Sequence, residues 1–378
     1  MPRPSVRVAI SGGGTGGHTS AGLAVAAALR ARGVADLHWI GSRGGVESSR
    51  VPAAGIAFYP VPAGKLRRYW DWQNVTDLGV RVPAALARSW ALLRRLRPSV
   101  LFVTGGFVAL PPALAARALG IPVVVHEQTA SAGLANRVAG RFATRIALAF
   151  PLPAAAFGGR PAVVTGNPMR PELRGGSREE VCRLFAFDPA EPVVYVTGGS
   201  LGSHRINRVV GEALPDLLRL AQVVHQCGDN AETGDLHWLG DQAKRLPDAL
   251  RARYAHRAYV GAELRHVYAA ADLVVGRSGA GTVNECCQLG LPAVYVPLPG
   301  TSGDEQTANA RLVERAGGAV VVPQPELTPT RLLEVVGRLL GDRAVLGATG
   351  ARARALAVPD AAERLAALIV ETAGGTLC

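Results

Sequence analysis

With 378 residues the chain is too long for one ordinary α/β sheet and suits two domains of common size. Hydrophobic residues at 48% and charged residues at 19%, with no repeat or low-complexity tract, exclude a disordered or fibrous protein, and Arg, Gly and Pro break every apolar run before it reaches bilayer-spanning length. A formal charge of +12 points to an acidic partner, or simply to a GC-rich coding composition; no aromatic-rich recognition module speaks for nucleic acid.

Met1 to Ser5 leads straight into the apolar run Val6 to Ile10, which leaves no apolar leader and predicts a protein retained in the cytoplasm. That run is a strand candidate, and it ends in Ser11-Gly12-Gly13-Gly14-Thr15-Gly16-Gly17-His18 before a helix expected over Gly22 to Arg32. Glycines at a strand-to-helix turn let a phosphate approach the backbone, where N–H groups at the helix N-terminus point at it. Gly12, Gly14 and Gly17 also match a dinucleotide fingerprint. The next strand, Leu37 to Ile40, has Asp36 before it and no acidic residue at its end to hold a ribose, which counts against a nicotinamide oxidoreductase. His18, beside the helix N-terminus, is expected to be a neutral imidazole, either a general base or a helix-capping group.

Strands follow at Ile56 to Pro60, Val100 to Val103, Val123 to His126 and Ile146 to Ala149, with helices at Gly44 to Ala54, Val82 to Leu96, Pro111 to Leu119 and Leu134 to Phe142. This alternation predicts a parallel sheet covered on both faces, with ligands beyond the carboxyl ends of its strands. Between Lys65 and Arg97, Arg67, Arg68, Arg81, Arg88, Arg94 and Arg95 are interleaved with Tyr69, Trp70, Trp72, Trp90, Leu92 and Leu93 against only Asp71 and Asp77. Such a segment suits an anionic bilayer surface, or is an ordinary helix with its apolar face in the core.

A second series starts after Gly166-Asn167-Pro168, dividing the chain into 1–167 and 168–347. Its strands are expected at Val193 to Thr197, Gln222 to Gln226, Ala258 to Val260, Leu273 to Val275, Ala293 to Val296 and Ala319 to Val322. Helices are expected at Arg205 to Leu220, Ala243 to Ala255, Val267 to Ala270, Ala280 to Leu289, Glu305 to Ala316 and Thr328 to Leu340. A final helical run, Ala348 to Thr372, is expected to pack back on the first domain. Thr197-Gly198-Gly199-Ser200-Leu201-Gly202 repeats the strand, turn, helix pattern of a phosphate loop. Ser278-Gly279-Ala280-Gly281-Thr282 opens another helix, whose Glu285 either holds ribose hydroxyls or stabilises the helix dipole. Glu305, Gln306 and Asn309 share a helical face suited to sugar hydroxyls or to capping. Cys182, Cys227, Cys286, Cys287 and Cys378 have neither metal-ligand nor redox spacing and are assigned to packing.

Eight blocks now stand in order: Gly13 to His18, Gly105 to Pro111, His126-Glu127-Gln128, Gly133 to Arg137, Thr165 to Arg170, Gly198-Gly199-Ser200, Arg277 to Glu285, and Glu305-Gln306 with Asn309. In this order the chain resembles, over nearly its whole length, the MurG family of peptidoglycan N-acetylglucosaminyltransferases that make lipid II; Pro297-Leu298-Pro299 resembles its actinobacterial branch. The resemblance implies an α/β fold of two doubly wound Rossmann-like domains facing a central cleft, the glycosyltransferase B type. It also implies inverting transfer of GlcNAc from UDP-GlcNAc to the 4-hydroxyl of lipid-linked MurNAc-pentapeptide, with neither metal nor cofactor, on the cytoplasmic side of the cell membrane. His18 is then the candidate base. Arg170 and Ser200 are assigned to the diphosphate, Glu285 to ribose, the backbone near Val260 to uracil, Ala280 to the nucleotide border, and Glu305, Gln306 and Asn309 to GlcNAc. Thr15, Gly16, Gly17 and Asn136 are also counted with the donor, while Gly14, Thr15, His18, Gly105, Gly106, Phe107, Glu127 and Thr129 are assigned to the acceptor side. Arg67, Arg68, Trp70, Trp72, Arg94 and Arg95 are assigned to the membrane.

The chain departs from the family pattern chiefly around the acceptor: Thr19-Ser20-Ala21-Gly22 follows His18, Phe107 stands for a frequent Tyr, Thr129 for Asn, Leu201 for Gln and Glu305 for Gln. A relative glycosylating another lipid-linked or natural-product acceptor, a UDP-sugar epimerase and a non-catalytic scaffold are the alternatives.

Overall fold

A computed structural model describes residues 6–14, 16–62 and 81–374. The chain forms two compact units, one of Met1–Arg170 with Val358–Cys378 and the other of Pro171–Ala357. The first crossing therefore falls after Arg170 rather than at Pro168, and the stretch from Ala348 to Ala357 belongs to the second unit. The single helical run expected from Ala348 to Thr372 is two helices, Arg343–Arg354 and Ala361–Thr372. Pro359 lies between them, and a proline cannot supply the amide hydrogen that a continuous helix needs.

In the first unit β1 (Arg7–Gly12), β2 (Asp36–Ser42), β3 (Ala57–Val61), β4 (Val100–Gly105), β5 (Val123–Glu127), β6 (Arg145–Leu148) and β7 (Ala162–Val164) make one parallel sheet in the order β3-β2-β1-β4-β5-β6-β7. Its helices are α1 (Gly16–Ala31), α2 (Glu47–Ala53), α3 (Val82–Leu96), α4 (Leu110–Ala118), α5 (Leu134–Gly140) and the C-terminal Ala361–Thr372. Alternate residues of each strand serve opposite cores, as the two-residue pleat requires. Val8, Ile10, Phe102 and Val124 pack with Val25 and Leu29 of α1 and with Leu365, Ile369 and Val370 of the C-terminal helix. Ala9, Leu101, Val103 and Val125 pack with Leu93 and Leu96 of α3 and Ala113 and Ala116 of α4. β7 has no counterpart among the expected strands, because as an edge strand it leaves Val163 and Val164 exposed and gives no burial pattern to read.

The second unit is built on β8 (Val193–Thr197), β9 (Gln222–Gln226), β10 (Tyr254–Arg257), β11 (Leu273–Gly276), β12 (Ala293–Tyr295) and β13 (Ala319–Val321), all parallel, in the order β10-β9-β8-β11-β12-β13. It is covered by α6 (Arg178–Phe185), α7 (His204–Leu220), α8 (Asp235–Lys244), α9 (Asp248–Arg251), α10 (Leu264–Ala270), α11 (Ala280–Leu289), α12 (Glu305–Arg315), α13 (Pro329–Leu340) and α14 (Arg343–Arg354). Two expectations fail here. The helix read over Ala243 to Ala255 is α8 and α9, separated at Pro247, and the strand read at Ala258 to Val260 lies earlier, at Tyr254–Arg257. Tyr254 and His256 share one face of that strand and stack at 5.3 Å, while Val260 leaves the sheet for a loop.

Strand order reverses between β1 and β4 in one sheet and between β8 and β11 in the other. Loops that leave adjacent strands in opposite directions open a crevice at such points, where α/β sheets take ligands. Of the site residues expected from sequence, Gly14, Gly106 and Ser200 lie on the loops after β1, β4 and β8, and Gly16, Gly17, His18, Ala280 and Glu285 lie on the helices that follow β1 and β11.

Candidate functional site

In the first unit the loop after β1 is held from beneath by Glu47, a fully buried carboxylate on α2. Its Oε1 accepts Ser42 N–H at 3.0 Å and Ser42 Oγ at 2.7 Å, and its Oε2 accepts Gly14 N–H at 3.1 Å. A Cβ on Gly13 would stand 2.2 Å from that carboxylate, so a side chain there would displace it. The expectation that this loop offers its amides to a phosphate is corrected at Gly14, whose N–H already serves an internal anion. Sequence reading missed Glu47, since a lone acidic residue in a helix's first turn reads as a dipole effect. Thr15 lies outside the described residues. α1 begins at Gly16 rather than Gly22, so Gly16, Gly17 and His18 form its first turn.

His18 Nδ1 lies 2.8 Å from the Thr104 carbonyl oxygen. A carbonyl only accepts, so Nδ1 carries the proton and Nε2 keeps its lone pair. Desolvation by the protein around the ring lowers the His18 pKa, opposed by Glu127, by the Thr104 hydrogen bond and by Glu47. Neutral imidazole was expected from the helix N-terminus; burial is the cause found. Gly105 leaves space for this ring, since a Cβ there would stand 2.6 Å from His18 Cε1 and 3.3 Å from Asn136 Nδ2.

Asn136 Nδ2 in turn donates to the His126 carbonyl at 3.1 Å and to Glu127 Oε2 at 3.0 Å. The buried Glu127 carboxylate also accepts Thr129 N–H at 3.1 Å, Thr129 Oγ1 at 2.7 Å and Gly133 N–H at 2.9 Å. Gly14, Gly16, Gly17, His18, Gly105, Gly106, Glu127, Thr129 and Asn136 thus belong to the carboxyl ends of one sheet, with Phe107 partly exposed after Gly106. Gly16, Gly17 and Asn136, counted with the donor, stand on the unit that carries His18, whereas Ser200, Val260, Ala280, Glu285, Glu305, Gln306 and Asn309 stand on the other. Arg170 is the last residue before the second unit begins.

In the second unit Ser200 is exposed on the loop after β8, ahead of the N-terminus of α7, and Ala280 is the first residue of α11. Glu285, one turn into α11, is buried, and Tyr268 Oη donates to its Oε2 at 2.8 Å. Tyr268 is fully enclosed, and burial holds its phenol protonated well above the usual range. Ser278 Oγ donates to the Gln306 carbonyl at 2.8 Å, Gln306 Oε1 accepts Leu298 N–H at 3.0 Å, and Asn309 Nδ2 donates to the Ser278 carbonyl at 3.1 Å. Asn309 has no exposed surface, so it fixes the Ser278 backbone, while Glu305 opens α12 half-buried. In the backbone expected to read uracil, Val260 N–H is donated to Gln226 Oε1 at 2.9 Å. Arg277 lies buried with carbonyls of Val296 and Pro297 at 3.0 and 3.2 Å, and desolvation lowers its pKa to about 10. Gln226 and Tyr268 escaped sequence reading, and Arg277 was read only as part of its block, because their partners lie on other elements.

Arg67, Arg68, Trp70 and Trp72 fall outside the described residues, but α3 is described. Its Ala85, Leu92, Leu93 and Leu96 face the core, while Val82, Leu86 and Trp90, spaced by four residues, are exposed. That makes a second apolar stripe on one helix. Arg94 lies 5.1 Å from the Trp90 ring and Arg95 5.9 Å from the Tyr59 ring. No helix among the described residues is long and apolar enough to cross a membrane.

Residues 8–148 match the family model of the glycosyltransferase family 28 N-terminal domain, and residues 193–365 that of the family 28 C-terminal domain. The chain is 41% identical to the UDP-N-acetylglucosamine–N-acetylmuramyl-(pentapeptide) pyrophosphoryl-undecaprenol N-acetylglucosamine transferase of Halorhodospira halophila, over 98% of this chain and 100% of that one. It is 39% identical to the protein of the same name from a Nocardioides species, over 98% and 99%. Among solved structures it is similar to Acinetobacter baumannii MurG, with a TM-score of 0.75 and 28% identity, covering 97% of this chain and 99% of that one.

Proposed function

This chain belongs to the MurG family within glycosyltransferase family 28, and from that premise we propose that it transfers GlcNAc from UDP-GlcNAc to the 4-hydroxyl of undecaprenyl-diphosphate-MurNAc-pentapeptide. Two doubly wound units of the glycosyltransferase B type divide the work. The acceptor belongs with the loops after β1 and β4 of the first unit, and the donor with those after β8 and β11 of the second.

The observation that carries the chemistry is the His18 tautomer. With Nδ1 committed to Thr104, Nε2 is the basic atom, and low proton affinity keeps it unprotonated near neutrality. It takes the proton of the attacking hydroxyl as that oxygen bonds to the anomeric carbon, and the bond to UDP breaks on the opposite face, inverting the centre. Charge then gathers on the departing diphosphate. Ser200, Arg170 and the amides at the N-termini of α7 and α11 neutralise it. Glu285, oriented by Tyr268, accepts the ribose hydroxyls, and Glu305 and Gln306 orient the sugar while Asn309 acts through the Ser278 backbone. Thr15 and Phe107 complete the acceptor side.

The acceptor is a bilayer lipid, and we assign the exposed stripe of α3, with Arg94 and Arg95 and with Arg67, Arg68, Trp70 and Trp72 before it, to peripheral contact with the anionic cytoplasmic leaflet. Basic residues beside aromatic and aliphatic side chains support that reading. The test is transfer of labelled GlcNAc from UDP-GlcNAc to synthetic lipid I. Formation of lipid II with stoichiometric UDP is expected; UDP-GlcNAc converted to an epimer without acceptor, or no transfer, overturns the proposal.

A further inference from the structure

The turn between β1 and α1 uses its polar groups inside the protein. Trp39 Nε1 donates to the Gly12 carbonyl at 3.1 Å, Gly13 N–H to the Gly105 carbonyl at 3.4 Å and Gly14 N–H to Glu47 Oε2 at 3.1 Å. Glu47 comes from α2 and approaches closely: a Cβ on Gly13 or on Gly45 would stand 2.2 Å from its carboxyl group. Its partners, Gly14 N–H, Ser42 N–H and Ser42 Oγ, all donate, so the group is held as a carboxylate, with no surface exposed to water. A second buried carboxylate, Glu127 at the end of β5, also takes its hydrogen bonds from neutral donors, on Thr129, Gly133 and Asn136. The two come from elements on either side of the β1–β4 pair, since α2 follows β2. Neither makes an ion pair among the described residues, and both raise the proton affinity of His18 against the desolvation that lowers it.

We infer that Glu47 is a specificity-determining residue: it takes the place a phosphate would have at the first glycine turn, and its charge closes that turn to anionic groups and leaves it to an uncharged hydroxyl. The inference deepens the acceptor reading above and rests on it for the identity of that hydroxyl. A glycine-rich turn ahead of a helix offers a phosphate free amides and the positive end of the helix dipole. Here the Gly14 amide is already given to an anion, and that anion is buried, so water and salt screen it little from the first turn of α1. An anionic group arriving at Gly16 or Gly17 is repelled by Glu47. A sugar hydroxyl meets no such repulsion and can give its proton to His18 Nε2. The diphosphate of a lipid-linked sugar is turned away from the base while its hydroxyl is admitted, which fixes the direction in which the acceptor enters.

Inorganic phosphate is the probe, titrated at constant ionic strength into the isotopically labelled full-length protein while the amide resonances of Gly16 and Gly17 are followed and folding is checked by thermal melting. In the wild type these resonances are expected to show no saturable shift in the millimolar range. Glu47→Gln, which keeps the size and removes the charge, is expected to bind phosphate at that turn at least about tenfold more tightly than the wild type. Glu47→Asp, which keeps the charge, is expected to behave as the wild type. The inference is overturned if phosphate binds the wild type or Glu47→Asp as tightly as Glu47→Gln, or if Glu47→Gln folds and binds none at this turn. Should Glu47→Gln fail to fold, saturable millimolar binding by the wild type overturns the inference by itself. Transfer of labelled GlcNAc to lipid I judges the acceptor reading separately: a protein that transfers nothing while its phosphate titrations behave as expected loses that reading and keeps a turn closed to anions.

Discussion

One carbonyl decides which end of His18 is basic. The Thr104 carbonyl accepts the hydrogen bond of Nδ1–H, and the surrounding protein favours the neutral ring, so the Nε2 lone pair is available without any charge to shed. General-base assistance contributes about a hundredfold to ten-thousandfold, so His18→Ala is expected to lower turnover within that range while UDP binding, read by calorimetry, stays at the wild-type value. Turnover at the wild-type rate would falsify the assignment. On the side we propose for the donor, Glu285→Ala is expected to weaken UDP binding. Tyr268→Phe, which leaves the carboxylate in place but takes away its hydrogen bond, is expected to cost roughly 1.5–3 kcal/mol at most. If Tyr268→Phe leaves UDP affinity untouched while Glu285→Ala weakens it, Tyr268 does not orient the carboxylate. These two residues also mark the limits of motif reading: Glu285 stands in a recognisable block, whereas Tyr268 is one aromatic among several in the chain until its hydroxyl meets the carboxylate.

At the level of elements, α3 carries two apolar faces and its sequence shows only that apolar and basic residues alternate. Which residues face inward is decided by the sheet beneath: Leu93 and Leu96 meet Leu101 and Val103, and this rotation leaves Val82, Leu86 and Trp90 outside. The inward residues answer to the ordinary-helix reading, and the exposed stripe beside them is the surface we propose for the membrane. Reversing Arg67, Arg68, Arg94 and Arg95 to Glu is expected to reduce sedimentation with anionic vesicles markedly and to leave sedimentation with neutral vesicles unchanged. Undiminished binding to anionic vesicles rejects this surface. The loop after β1 carries a comparable lesson. Its glycines read as a phosphate cradle, yet Glu47 reaches it from α2 and takes the Gly14 amide, a contact that no spacing within the loop announces.

For the molecule as a whole, buried histidines in both units contribute to its response to acid. Burial pushes the His126 pKa, in the first unit, down to about 4 and the His225 pKa, in the second, down to about 3. His126 Nε2 lies 3.0 Å from the Gly166 carbonyl, and His225 lies between Tyr254 Oη at 2.9 Å and Asn207 Oδ1 at 3.0 Å. The unfolded chain binds a proton on each near pH 6.5, and the folded chain does so only far below. The stabilisation is fully present above pH 6.5 and is lost as pH falls toward about 4 for His126 and about 3 for His225. Each contributes on the order of a few kcal/mol to this slope. Melting temperature is expected to drop steadily from about pH 7 to about pH 4, and His126→Gln to flatten that dependence; a wild-type profile level over this interval contradicts the account. The sequence by itself determined the alternation of strand and helix, the three glycine- or serine-rich turns after β1, β8 and β11, and the family, because hydrophobic period, turn chemistry and motif order are local properties of a chain. Only tertiary structure decided which amides of those turns remain for a ligand, which nitrogen of His18 holds its proton, and where the final helical run is divided between the units. Those outcomes depend on groups distant in sequence, Glu47 on Gly14, Thr104 on His18 and Gln226 on Val260, whose meeting follows from how the strands are ordered in each sheet.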